Sequence, residues 1–312
     1  MRERMRGVMR VALVQMRSGT DAEANIAALR EAVGEAARAG ALYVQTPEMT
    51  GAVDRDGRAL LARSKFEADD GVVRAASALA REHGLWLHVG TTPVLADAPA
   101  LADAPTLADA PTLADAPGKL ANRALLFAPD GRVAARYNKL HMFDVDLPGG
   151  ESWRESRLYE PGSRAVVAPM GDAVVGLSIC YDLRFPALYA ALARAGANVL
   201  TVPAAFTART GAAHWEVLLR ARAVECGAWV LAAAQGGRHE DGRETWGRST
   251  VVDPWGRVVA ALDHDEPGVL VTDIEPGRSA SARAAIANLS HARPFEAPAP
   301  VAAAKPAGKV AA

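Results

Sequence analysis

Cysteine is almost missing from this chain. Cys180 and Cys226 are the two among 312 residues, which argues against a disulfide framework and for a reducing compartment, the cytoplasm. Charge of one sign is missing as well. Thirty-five Lys and Arg against 36 Asp and Glu leave a net charge of −1, so there is neither a basic footprint for nucleic acid nor an acidic tail. No window of 18 apolar residues occurs, so no membrane-spanning helix is expected. Met1 to Arg10 carries four arginines with no apolar core region after them, unlike a secretory signal.

What is present is an apolar half of the chain, enough to bury a sizeable core. Met9 to Gln15 reads as a buried strand. Thr20 and Glu23 fit a capping box ahead of Ile26, Leu29, Val33 and Ala36 at helical spacing, with Gly40 as the stop. Leu42 to Thr46 and Leu85 to Gly90 read as strands, with a helix from Val72 to His83 between them. Ala124 to Ala128 and Arg132 to Tyr137 form a hairpin across Pro129-Asp130-Gly131. Val174 to Ile179, Asn198 to Val202 and Ala228 to Ala234 are further strands, alternating with helices over Phe185 to Ala195 and His214 to Cys226. Thr250 to Leu262 gives a last hairpin, followed by a strand over Val269 to Ile274. Hairpins mixed with strand–helix alternation predict a layered α/β domain over 9–293. Residues 95–118, nearly four copies of Leu-Ala-Asp-Ala-Pro-Thr, read as an inserted surface loop, because a proline every six residues forbids a helix. Residues 294–312 read as a disordered tail.

Three titratable residues fall at strand ends, where loops present functional groups: Glu48, Lys139 and Cys180. Glu155 lies in the loop after Lys139. Cys180 directly follows a strand, and Pro186 suits the first turn of a helix. The free N–H groups of that helix start would favour thiolate over thiol. A cysteine nucleophile also needs a base and a cation for the developing oxyanion. A carboxylate whose pKa is raised by burial could be the base, and a lysine the cation. On that reading Glu48→Gln slows alkylation of Cys180. His141, Asp144 and Asp146 alternate in a loop, but no His-x-His, His-Glu-x-x-His or paired cysteines accompany them, so no metal site is expected. Arg184 and Arg209 are candidate anchors for a substrate carboxylate. His214 and Glu216 begin a predicted helix near them, and Phe206 follows a strand end.

Four strings resemble segments of the nitrilase, or carbon–nitrogen hydrolase, superfamily, in order along the chain. They are Gln45-Thr46-Pro47-Glu48, Tyr137-Asn138-Lys139-Leu140-His141-Met142-Phe143-Asp144-Val145, Trp153-Arg154-Glu155-Ser156 and Ser178-Ile179-Cys180-Tyr181-Asp182-Leu183-Arg184-Phe185-Pro186. The resemblance implies a four-layer α-β-β-α sandwich that usually forms a homodimer or higher homo-oligomer. It implies hydrolysis of a small carboxamide with no metal and no cofactor. Glu48 would be the general base, Lys139 and the Tyr181 N–H the oxyanion partners, Glu155 the residue positioning Lys139 or the substrate amide, and Cys180 the nucleophile that forms a thioester. The strings Thr210 to Ala223, Ala232-Ala233-Ala234-Gln235-Gly236-Gly237-Arg238-His239 and Val251 to Gly256 are similar to the amidase branch acting on deaminated glutathione, which yields 2-oxoglutarate and cysteinylglycine. Gly236 departs from it, a cysteine being expected there. The alternatives are an ω-amidase on 2-oxoglutaramate or 2-oxosuccinamate, a nitrilase, an N-carbamoyl-amine hydrolase, and a non-catalytic scaffold subunit.

Overall fold

The computed structural model describes residues 7–96, 118–147 and 150–297. Its centre is a pair of six-stranded sheets. In the first, β1 (Met9–Gln15), β2 (Tyr43–Gln45) and β3 (Trp86–Leu95) run parallel. Antiparallel β4 (Leu120–Phe127) and β5 (Val133–Asn138) extend it on one side, and β16 (Gly268–Ile274) closes the other. In the second, β9 (Ala173–Leu177), β10 (Val199–Thr201) and β11 (Trp229–Ala232) are parallel. Beyond β9 lies β8 (Val167–Met170), and beyond β11 lie β14 (Thr250–Val252) and β15 (Val258–Ala261), all antiparallel additions.

Alternation along β1 shows how the layers form. Val11 and Leu13 pack into the core between the sheets, with Tyr43, Leu126, Val175 and Leu177. Ala12 and Val14 face the other way, onto Leu29 and Val33 of α1 (Ala22–Arg38) and Ala76 and Leu79 of α3 (Gly71–His83). The second sheet is covered by α4 (Pro186–Arg194) and α5 (Ala208–Cys226), through Leu192, Trp215 and Leu219. Helix, sheet, sheet and helix thus make the four layers that the resemblance implied.

Several boundaries differ from the sequence reading. The cap of α1 is Asp21, which accepts from the Glu23 N–H at 2.9 Å. Thr20 instead donates its hydroxyl to Glu240 at 2.8 Å. The last long helix starts at Ala208, six residues before His214, because Thr207 caps it and Gly211 lies under Trp246, where a Cβ would come within 2.2 Å of the Trp246 Cβ. Glu216 is therefore in the helix body, paired with Arg220 at 3.3 Å, rather than in the first turn. Sequence reading also passed over α2 (Gly57–Arg63), the hairpins β6 (Asp144–Asp146)/β7 (Ser152–Arg154) and β12 (Gly236–Arg238)/β13 (Glu244–Trp246), and the terminal helices α6 (Arg278–Ala285) and α7 (Asn288–His291). The repeat joins two paired strand ends, Leu95 opposite Leu120, with the Ala96 N–H on the Lys119 carbonyl at 3.0 Å. Residues 97–117 of that loop and 298–312 of the tail lie outside the described residues.

Candidate active site

Strand ends deliver the site. Glu48 follows β2, Lys139 follows β5 and Cys180 follows β9, all at carboxyl ends, where open α/β sheets present their ligands. The Glu48 segment is wedged against β3: a Cβ on Gly90 would stand 2.2 Å from the Thr46 carbonyl and 2.4 Å from that of Pro47. Glycine is required there. Gln235 holds the same segment from the second sheet, donating to the Glu48 carbonyl at 3.0 Å and that of Met49 at 3.2 Å. Cys180 sits at φ +47, a left-handed conformation that costs a non-glycine residue about 1–2 kcal/mol. Two bonds fix it. Its N–H donates to the Pro203 carbonyl at 2.9 Å, and Asp182 accepts from the Ile179 N–H at 2.9 Å. Asp182 is fully buried, and it also accepts from the Tyr137 hydroxyl and the His141 ring, each at 2.7 Å. So His141 braces the Cys180 turn through Asp182. Asp144 accepts from the Ser156 N–H, and Asp146 pairs with Arg154.

Four polar side chains meet in one cluster. Lys139 Nζ donates to Glu48 Oε1 at 2.8 Å and to Glu155 Oε1 and Oε2 at 3.0 and 2.9 Å. Asn122 Nδ2 donates to Glu48 Oε1 at 2.9 Å and to Glu155 Oε1 at 3.1 Å. The other Glu48 oxygen accepts from the Ala205 N–H at 3.0 Å, and Glu155 Oε2 from the Phe143 N–H at 2.7 Å. The Cys180 thiol lies within the influence of the Glu48 and Lys139 charges. Asn122 had no signal in the sequence; it lies mid-strand in β4, inside no motif.

Electrostatics follow from burial and pairing. Burial works to raise the Glu48 carboxyl, but the Lys139 charge and the hydrogen bonds from Lys139, Cys180 and Asn122 outweigh it and hold it below its ordinary value. Burial likewise opposes charge on Lys139, yet Glu155 and Glu48 raise its pKa well above the usual lysine range. Burial, then the Glu48 charge, pushes the Cys180 thiol well up, against the opposing pull of Lys139. The resting site therefore holds a carboxylate, an ammonium and a neutral thiol. This corrects both expectations drawn from the strand end: the helix start does not make a thiolate, and the base is a carboxylate already ionised.

These groups open into a cavity of about 580 Å³, within the range of small-molecule sites. Glu48, Lys139, Glu155, Cys180, Tyr181, Arg184 and Phe206 all line it. Arg184 lies over the Tyr181 and Phe206 rings, at 5.9 and 5.3 Å from their centroids. His214 is outside the lining and reaches it through Arg184, 3.2 Å away. Arg209 and Glu216 do not line the cavity. Arg209 is exposed, and Glu216 borders a groove beside Trp255. At Gly236 a Cβ would stand 2.3 Å from the Asp265 carbonyl, so a side chain there requires the backbone to shift.

Residues 10–284 match the carbon–nitrogen hydrolase family. The deaminated glutathione amidase of Yersinia enterocolitica is 36% identical over 80% of this chain and 81% of its own length. The enzyme of the same name from Homo sapiens is 38% identical over 91% of this chain and 82% of its own. Among solved structures, the C. elegans NitFhit protein superposes with a TM-score of 0.79 at 33% identity over 92% of this chain, which spans 65% of that longer protein. With the four layers and the buried cysteine cluster already described, these likenesses place the chain in the carbon–nitrogen hydrolase family, as a hydrolase of the nitrilase superfamily.

Proposed function

We propose that the protein hydrolyses the amide of deaminated glutathione to 2-oxoglutarate and cysteinylglycine through a thioester on Cys180. The observation that carries the reading is the convergence of Glu48, Lys139 and Cys180 on one cavity, with Arg184 in its wall. Two relatives bearing that name support the substrate.

Ionised Glu48, which lines the same cavity as Cys180, takes the thiol proton. The sulfur attacks the amide carbon as the proton leaves, so no free thiolate has to form in the buried site. Negative charge develops on the carbonyl oxygen, where the Lys139 ammonium and the Tyr181 N–H stabilise it. Protonated Glu48 then gives its proton to the departing amine and the C–N bond breaks. Glu48 next takes a proton from water, which attacks the thioester and releases the 2-oxo acid and the thiol. Glu155 and Asn122 keep Lys139 charged and Glu48 aimed; Arg184 pairs with the carboxylate of the 2-oxo acid, and Phe206 walls the acyl chain. Arg209, His214 and Glu216 have no direct part in this scheme.

A homodimer through the α5 face fits the same reading: Val217, Val224 and Trp255 are 61%, 52% and 52% exposed there, and large apolar surface of this kind marks interfaces. Two free cysteines fit a cytoplasmic setting. The test is product release from a panel of deaminated glutathione, 2-oxoglutaramate, simple nitriles and N-carbamoyl amines, followed as 2-oxo acid and ammonia. Preference for deaminated glutathione upholds the reading; turnover of nitriles or carbamoyl amines alone would overturn it. Preference for 2-oxoglutaramate would move the protein to the ω-amidase branch.

A further inference from the structure

Of the cavity-wall guanidiniums that none of these steps uses, that of Arg243 is the buried one. Arg243 lines the cavity and is 8% exposed. Its Nε is buried without a hydrogen-bond partner. Nη1 donates to Met49 Sδ at 3.1 Å, a weak acceptor. Arg243 forms an ion pair with Asp241, whose buried carboxylate is 3.7 Å from Nη2, longer than a hydrogen bond. The guanidinium carbon lies 4.7 Å from the Trp153 ring centroid, and Arg55, also in the cavity wall, lies 5.2 Å from the same ring. A buried guanidinium in a cavity wall, with Nε unbonded and its one ion pair longer than a hydrogen bond, suits an anionic ligand.

Its mounting is rigid. Arg243 closes the tight turn of the β12/β13 hairpin, with the His239 N–H on its carbonyl at 2.8 Å. His239 is buried, and burial lowers its pKa, so the ring is neutral at physiological pH. The carbonyl of Ser18 can only accept, so Nδ1 donates to it at 2.8 Å, and Nε2 accepts from the Thr245 hydroxyl at 2.7 Å. The Gln235-Gly236-Gly237-Arg238-His239 run, distinctive in the sequence, is thus the base of the hairpin that presents Arg243.

We infer that Arg243 selects substrates whose leaving amine carries a carboxylate, pairing with that group while Arg184 pairs with the carboxylate of the 2-oxo acid. The inference rests on the proposed amidase function. The two guanidiniums come from separate walls: Arg184 beside Tyr181 and Phe206, Arg243 beside Met49 and Trp153. A substrate that spans them has an acid at each end, as deaminated glutathione does; 2-oxoglutaramate has one.

The experiment compares deaminated glutathione with its glycine carboxamide form, which differs by one charge. Wild-type enzyme should prefer the acid, and Arg243→Gln should shrink the kcat/KM ratio of acid to carboxamide by roughly 10- to 100-fold, mainly through KM. Arg243→Lys, which keeps charge without the fork, should fall between. Equal losses on both forms, or an unchanged ratio, would overturn the inference, since a merely structural Arg243 cannot tell them apart. A second readout does not need turnover: S-methylcysteinylglycine and its C-terminal amide, which carry no free thiol for the reagent, as protectants of Cys180 against iodoacetamide. Acid-selective protection that disappears in Arg243→Gln supports the assignment; equal protection of wild-type enzyme by both overturns it. Should wild-type enzyme cleave neither substrate, the amidase reading fails while this second arm still decides Arg243.

Discussion

Glu48 Oε1 and Lys139 Nζ stand 2.8 Å apart, with each side chain 2% exposed. Glu48 depends on Lys139, because removing Lys139 would leave a buried carboxylate without a counter-charge; Lys139 has a second partner in Glu155, 2.9 Å away. In the proposed mechanism the carboxylate serves the thiol, and the ammonium the substrate oxygen.

Neutralising Glu48 separates its two effects on Cys180. Glu48→Gln should cut kcat by about 10²–10⁴-fold, the worth of a positioned acid–base group. It also removes the charge that pushes the thiol up and leaves the pull of Lys139 in place. The pH midpoint for iodoacetamide labelling of Cys180 should therefore fall relative to wild type, the opposite of the slowed alkylation expected from the sequence. A midpoint that rises would mean that the Glu48 charge does not hold the thiol protonated.

Activity should persist into acid. The reactive form needs Glu48 ionised, and its pKa is held down, so the acid limb of kcat/KM should lie below the ordinary glutamate value of about 4.3. In the linkage balance, a depressed folded pKa gives stability that is present above the unfolded value and is lost as pH falls through the folded one. Cys180 acts with the other sign. Its folded pKa is raised, so its contribution is present below the unfolded value of about 8.5 and is lost as pH climbs. Between pH 8.5 and 10, Tm should drop less in Cys180→Ala than in wild type. Parallel curves would show that the thiol is not destabilised as an anion.

Cys180 also carries backbone strain that can be relieved. Cys180→Gly should be more stable than Cys180→Ala by about 1 kcal/mol, because φ +47 is open to glycine and costly for alanine. Both should be inactive, with circular dichroism like wild type. Thermal unfolding of the two side by side measures the difference. An advantage for alanine would mean that the turn relaxes when the sulfur is removed.

Asn122→Ala breaks two hydrogen bonds to charged acceptors. Each is worth about 1.5–3 kcal/mol, so a drop in stability of that order and a clear fall in kcat should appear together. Urea unfolding and steady-state rates on one preparation test this. Unchanged rates would make the bridge idle.

Much of the site could be read from the sequence because its carriers end strands with clear apolar runs. Val174 to Ile179 announces Cys180, and Leu42 to Thr46 announces Glu48. Asn122 and Arg243 could not be read. The first sits in a strand whose burial on both faces hides any alternation, and its acceptors are 74 and 33 residues away. The second depends on a hairpin fixed by tertiary bonds from His239. α5 begins ahead of the expected His214 for a similar reason: Trp246 packs where a side chain at Gly211 would be, a tertiary contact that the local sequence does not show. The inner layers were legible from β1 alone, whereas the short hairpins, with strands of three residues, fall below what periodicity can show.

The Leu95–Leu120 pairing joins the two ends of the hexapeptide tract and clamps the strand that carries Asn122. Because the ends of the tract are already held together by strand pairing, adding or removing whole units changes the closure entropy by well under about 1 kcal/mol. The enzyme therefore has a natural graft point: a fluorescent reporter or an immobilisation handle spliced between residues 97 and 117 should leave turnover as it was.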